Sequence, residues 1–158
     1  MNAEQYLEDL RIGQRFGSSS LIIERDSIRE FASRFDPQPF HLDDDAARDT
    51  LFRGLAASGW HTAALTMRLL VESEFRPAGG LVGAGLEELR WPRPTRPGDR
   101  LELEVEVLDL RPMTSRPGQG IAKLRVTTFN QHREVVQQYV GNLVVQQRDP
   151  AGRSGSAA

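Results

Sequence analysis

The sequence predicts an α+β domain, and three observations carry that expectation. The segment from Ser58 to about Ser73 is apolar on nearly every side, as a buried helix is. From Gly79 onward the chain turns to strand chemistry and stays there. The order is a strand, then helices, then four strands in a row, without the strand–helix alternation of a parallel α/β design.

Residues 1–13 carry little beyond a turn at Gly13. Arg15 to Glu24 ends in a compact aliphatic run and reads as a strand. Asp26 is a suitable N-cap for a helix with Ile28, Phe31, Ala32 and Phe35 on one face, and Pro37 stops it, leaving Asp36 at the exit. Pro37 and Pro39 bias the residues before them away from helix, so 36–41 reads as a shaped loop. Asp43, Asp44 and Asp45 open a second, short helix whose dipole they favour, with Ala47 and Leu51 facing inward. Three consecutive aspartates lack the spacing and glycine turn of a cation loop, so no metal is expected. Ser58 is the expected N-cap of the long helix, with Trp60, Ala63, Ala64, Met67, Leu70 and Val71 on its broad apolar face. Its first backbone N–H groups, notably at Gly59 and Trp60, are free to meet an anion.

One strand is expected within residues 79–91, followed by the turn-rich link Trp91 to Asp99. Leu101 to Val107 alternates with Glu102, Glu104 and Glu106, a strand with one wet face. Ile121 to Phe129 places Lys123 and Arg125 opposite those glutamates, and Val135 to Gln147 is the last strand. Residues 1–148 are thus expected to form one domain and 149–158 a flexible tail.

Bulk properties narrow the function. With no cysteine there is no disulfide framework and no thiolate metal site. No apolar run reaches the roughly 18 residues of a membrane span, and the start is unlike a signal peptide. A net charge of −2 without a basic block argues against nucleic acid. The expectation is a cytoplasmic protein with neither a nucleic-acid nor a membrane partner.

The chemistry concentrates in Asp36 and His41. A carboxylate and an imidazole are suited to moving protons near neutral pH. Five extended residues span roughly 16 Å, so the fold has to bend the two together. An Asp before Pro is also a common turn residue, and a His between Phe40 and Leu42 a common structural one, so these residues alone leave both readings open.

The run resembles the hydratase motif of the MaoC-like dehydratases, the (R)-specific enoyl-CoA hydratase group. Asp36, Pro39 and His41 match in register, with Asp43, Ala47, Phe52 and Ala57-Ser58-Gly59 following, and Pro97-Gly98-Asp99 resembles the family's second recurrent element. Arg34-Phe35, Gln38 and Phe40 depart from the pattern around the Asp–His pair. The resemblance implies a hotdog fold, a curved antiparallel sheet wrapped around a central helix. It further implies interconversion of trans-2-enoyl-CoA and (R)-3-hydroxyacyl-CoA by addition or loss of water. Asp36 and His41 would be catalytic, and Ser58 and Gly59 would bind the thioester. Coenzyme A would be the substrate's carrier, with no further cofactor, and the protein a homodimer or a multiple of one. Arg53, Arg90, Arg93 and Arg96 are candidates for the carrier's phosphates. His61 takes a supporting or surface place. Two alternatives stay open, a hotdog thioesterase hydrolysing acyl-CoA and a non-catalytic binder of acyl thioesters.

Overall fold

A computed structural model describes residues 3–148; the tail expected at 149–158 lies outside the described residues. After a 3-10 turn at Leu7–Asp9 come β1 (Arg15–Gly17), β2 (Leu21–Ile22), α1 (Arg25–Phe35), α2 (Pro39–Leu42), α3 (Asp44–Arg48), α4 (Gly59–Val71), β3 (Val82–Arg90), β4 (Arg100–Pro112), β5 (Gln119–Phe129) and β6 (Val135–Gln146). The strands form one antiparallel sheet in the order β1-β4-β5-β6-β3, with β2 also paired to β4.

The sheet's inner face is made by alternation. On β4, Leu101, Leu103, Val105 and Val107 are buried while the glutamates between them keep partial access to water. These side chains meet Leu124 and Val126 of β5, Val136 and Val145 of β6, and Leu69 and Leu70 of α4. Each such burial contributes about 1.5–3 kcal/mol, which fixes α4 across the sheet in the expected hotdog arrangement. A smaller core of Ile23, Ile28, Leu55 and Ala57 seats α1.

Several expectations are corrected. The single strand at 15–24 is two short ones, because the Ser18 hydroxyl takes the Leu103 N–H (2.9 Å) in place of a ladder bond. Glu24, not Asp26, is the residue before α1, and Asp26 lies in its first turn. Phe35, at the last position of α1, is exposed, with its ring tilted against Phe31 (5.1 Å between centroids). α3 stops at Arg48, so its periodicity never reaches Leu51, which is 91% exposed. Trp60, Met67 and Val71 leave an open flank on α4, which is therefore not buried all round. Arg125 pairs with Glu106 as expected (3.1 Å), but Lys123 reaches across to Glu87 of β3 instead (3.2 Å).

Candidate active site

The loop expected at 36–41 contains a turn of helix, and that turn makes the site. The Asp36 N–H closes α1 on the Ala32 carbonyl (2.9 Å), and the chain then reverses as the Gln38 N–H bonds the Asp36 carbonyl (2.8 Å). Gln38 is extended, as a residue before proline should be. Pro39, however, stands at the first position of α2, where its missing N–H is no loss and its φ is already helical. The single turn from Pro39 to Leu42 swings His41 back, and its Nε2 comes 3.3 Å from Asp36 Oδ2.

The His41 ring is 4% exposed, and its Nδ1 lies 2.6 Å from the Ala56 carbonyl oxygen. A carbonyl only accepts, so Nδ1 carries the hydrogen and Nε2 faces Asp36. Phe40 presents an edge to the ring at 4.6 Å and Phe52 packs at 5.7 Å. Burial alone would raise the Asp36 carboxyl. Hydrogen bonds from the Ser58 hydroxyl and the Gln38 amide, with the attraction of His41, outweigh it and hold the group below the usual carboxylate value. The Gln38 bond is 2.5 Å, so the residue that departs from the family asparagine still grips the carboxylate. A carboxylate oxygen and an imidazole nitrogen side by side are an arrangement suited to holding a water and moving its protons.

Ser58 is fully buried and caps α4, taking the Trp60 N–H at 3.3 Å, and its hydroxyl lowers the pKa of the neighbouring Asp36 carboxyl. Its hydroxyl thus fastens the carboxylate to the helix start. The Gly59 N–H has no acceptor among the described residues. Gly59 and His41 both face a cavity of about 500 Å³, walled by Phe52, Ala57, Thr62 and the segment from Trp91 to Thr95, with Leu51 at its side.

The wall segment owes its course to Arg96-Pro97-Gly98-Asp99. The Asp99 N–H bonds the Arg96 carbonyl (3.1 Å) and Gly98 sits at φ 84°, a turn that requires glycine there. Arg96, a phosphate candidate from sequence, turns inward instead and donates to the carbonyls of Phe52, Gly54 and Leu55, pinning the strand of loop that leads to Ala56. Arg93 is paired with Glu134 (2.9 Å), and Arg53 and Arg90 are exposed.

His61 is not on the surface. It is 6% exposed, stacks flat on Phe31 at 4.6 Å, and burial lowers its pKa. The three aspartates are each engaged: Asp43 caps α3 through the Asp45 N–H, Asp44 pairs with Arg25 and Arg29, and Asp45 pairs with Arg48. Among the described residues no group of three or more His, Asp or Glu is placed to hold a metal ion, and no helix is long and apolar enough to cross a membrane.

The family model for the MaoC-like domain matches residues 9–130. The chain belongs to the MaoC-like family. An uncharacterized Bacillus subtilis protein, YdeM, is 36% identical over 125 residues, 79% of this MaoC-like chain and 87% of that one. The crystal structure of a MaoC-like dehydratase from Rhodospirillum rubrum is 54% identical, covers 91% of this chain and 98% of its own, and superposes with a TM-score of 0.88. An (R)-hydratase from A. caviae involved in PHA biosynthesis is 29% identical, with 89% and 98% covered and a TM-score of 0.67. As a MaoC-like domain, the chain belongs to a hydratase and dehydratase family.

Sequence reasoning missed the partners that tune the dyad. Nothing in the pattern marked Ala56 as the acceptor for His41, because a backbone carbonyl has no sequence signature. Phe40, a departure from the motif, gave a signal that could have been followed, since it forms part of the aromatic box around the imidazole.

Proposed function

We propose that this protein adds water to, or removes it from, an acyl thioester, interconverting trans-2-enoyl-CoA and (R)-3-hydroxyacyl-CoA. The observation that carries the reading is the Asp36–His41 contact, with the imidazole's other nitrogen committed to Ala56 and a free N–H at Gly59 on the same cavity. Asp36 and His41 hold one water between them. Its oxygen adds to C3 as the dyad takes one of its protons, and the dyad returns a proton to C2; dehydration runs these steps in reverse. Negative charge that develops on the thioester carbonyl oxygen meets the Gly59 N–H at the start of α4, where the helix dipole favours it. Coenzyme A is the carrier, and no other cofactor enters the reaction. A carboxylate braced for thioester hydrolysis would not need His41, which is why hydration is favoured over hydrolysis. Incubation with a panel of enoyl- and acyl-CoA thioesters tests this. Loss of the conjugated enoyl absorbance without release of free thiol is expected. Thiol release that persists in His41→Asn would mark a thioesterase, and saturable binding without turnover a non-catalytic acyl-thioester binder.

Assembly follows from β3. It pairs with β6 along one edge, and its side chains from Val82 to Glu88 are all exposed in the single chain, including Val82 and Leu86. An open strand edge beside exposed apolar side chains calls for cover. A homodimer, or a multiple of one, joined along β3 is the expected state. Light scattering should give twice the chain mass or more at micromolar concentration, and a stable monomer would refute the pairing.

A further inference from the structure

The chain contains two tryptophans, and the structure places them against each other on either side of Gly59. Trp91 lines the dyad cavity, whereas Trp60 lines a second cavity of about 390 Å³. That second cavity is apolar, running along α4 past Ala63, Met67 and Leu70 and over Leu124 and Val126 of the sheet. The indoles meet edge to face, 5.5 Å between centroids at 78°, so the pair is a partition between the two spaces.

Trp91 is held there from two sides. Its ring fills the place a side chain at Gly59 would take: a Cβ on that residue would lie 2.7–2.9 Å from three atoms of the indole. Its Nε1 donates to Oε1 of Gln137 at 2.9 Å, and Gln137 is fully buried in β6. Gln137 stands opposite Thr128 in the sheet, and the Thr128 hydroxyl bonds that of Thr66 on α4 at 2.7 Å. The anchor is therefore in the packed core, although Trp91 itself follows a sheet edge.

We propose that Trp91, braced by Gln137, is a specificity-determining wall that confines the acyl chain to the dyad cavity, making short enoyl thioesters the substrates. This rests on the thioester reading above. A thioester has a polar carrier at one end and an apolar tail at the other. The dyad cavity is likewise polar toward Arg93 and Thr95 and apolar toward Trp91, beyond which lies the apolar groove. Alignment of like with like sends the tail toward the indole, where it stops. Removing the indole joins the cavities and lets the tail continue into the groove.

The test uses unreactive S-butyl-, S-octyl- and S-dodecyl-CoA thioethers. Binding is followed by intrinsic fluorescence, for which both tryptophans are at the partition. In the wild type, affinity should not rise from butyl to octyl. In Trp91→Ala the octyl ligand should gain about tenfold or more over butyl, the scale of a methylene or two entering an apolar pocket. Filling the groove from its far side, Trp91→Ala/Met67→Trp, should cancel that gain. Trp91→Met, which thins the wall but keeps its apolar bulk, carries the test should circular dichroism show Trp91→Ala misfolded. Parallel length profiles in wild type and variant would overturn the wall. A gain that survives Met67→Trp would overturn the groove as the tail's destination. Crotonyl-CoA turnover on the same preparations keeps the two claims apart. No turnover with the length profile intact sinks the hydratase and not the wall, and no thioether bound by either protein sinks both.

Discussion

Asp36→Asn and His41→Asn are each expected to lower kcat by about 10²–10⁴, the range for loss of a positioned acid or base. Asp36→Asn keeps size and His41→Asn keeps a polar though smaller side chain, so the fold should persist. Asp36 retains the Ser58 and Gln38 bonds when His41 is changed. The cost in that case is the buried Ala56 carbonyl, which loses its donor, a penalty of about 1–3 kcal/mol. The double variant should be little worse than either single one, because a water held between two groups is lost when one is gone. Steady-state kinetics on crotonyl-CoA with circular dichroism as the check decides the matter, and a double variant near the wild-type rate would end the catalytic assignment. The pH dependence has a defined sign. The fold holds the Asp36 carboxyl below its ordinary value, so the dyad keeps its carboxylate to lower pH than a free aspartate would. The stability tied to that shift is complete above the unfolded value and is lost as pH falls through the lower folded one.

The second large effect is at Gly59, and the Trp91 contact dictates how it has to be measured. Proline suits the first position of a helix and deletes the N–H, but its Cβ would strike the indole, as would that of alanine. Gly59→Pro alone would thus confuse a lost donor with a displaced wall. Gly59→Ala introduces the same collision and keeps the N–H. The difference between the two variants isolates the donor, and Gly59→Pro should fall below Gly59→Ala by about 10²–10³ in kcat, the scale for one oxyanion contact. Equal losses would remove Gly59 from the chemistry.

What the sequence disclosed, it disclosed through periodicity and punctuation. The Leu101–Val107 alternation, the Ser58 cap and the proline stop after α1 each state a local physical requirement, and each holds in the structure. The motif resemblance placed Asp36 and His41 together before any geometry did so. What stayed hidden depends on tertiary neighbours. The helical turn at Pro39–Leu42 follows from the same proline that argued for a loop, because a proline that disfavours helix before it also starts one at its own position. Arg96 looked like a surface cation until three carbonyls of the 52–55 loop were found at its guanidinium. His61 looked peripheral until α1 laid Phe31 across it.

The pairing of β1 with β4 gives the site an unusual kind of latitude. Arg15 is zipped to Glu106 and Gly17 to Glu104, so the segment from α1 through α4 is closed at one end by this seam and at the other by the β3–β6 pairing. Closure entropy grows only with the logarithm of loop length, about 0.6 kcal/mol for each doubling. Residues inserted at the exposed turn around Leu51, beside the cavity, would therefore add little to the cost of closing that seam. A chain built this way can lengthen or reshape the rim of this cavity while leaving the sheet, and the helix that carries the N–H, where they are.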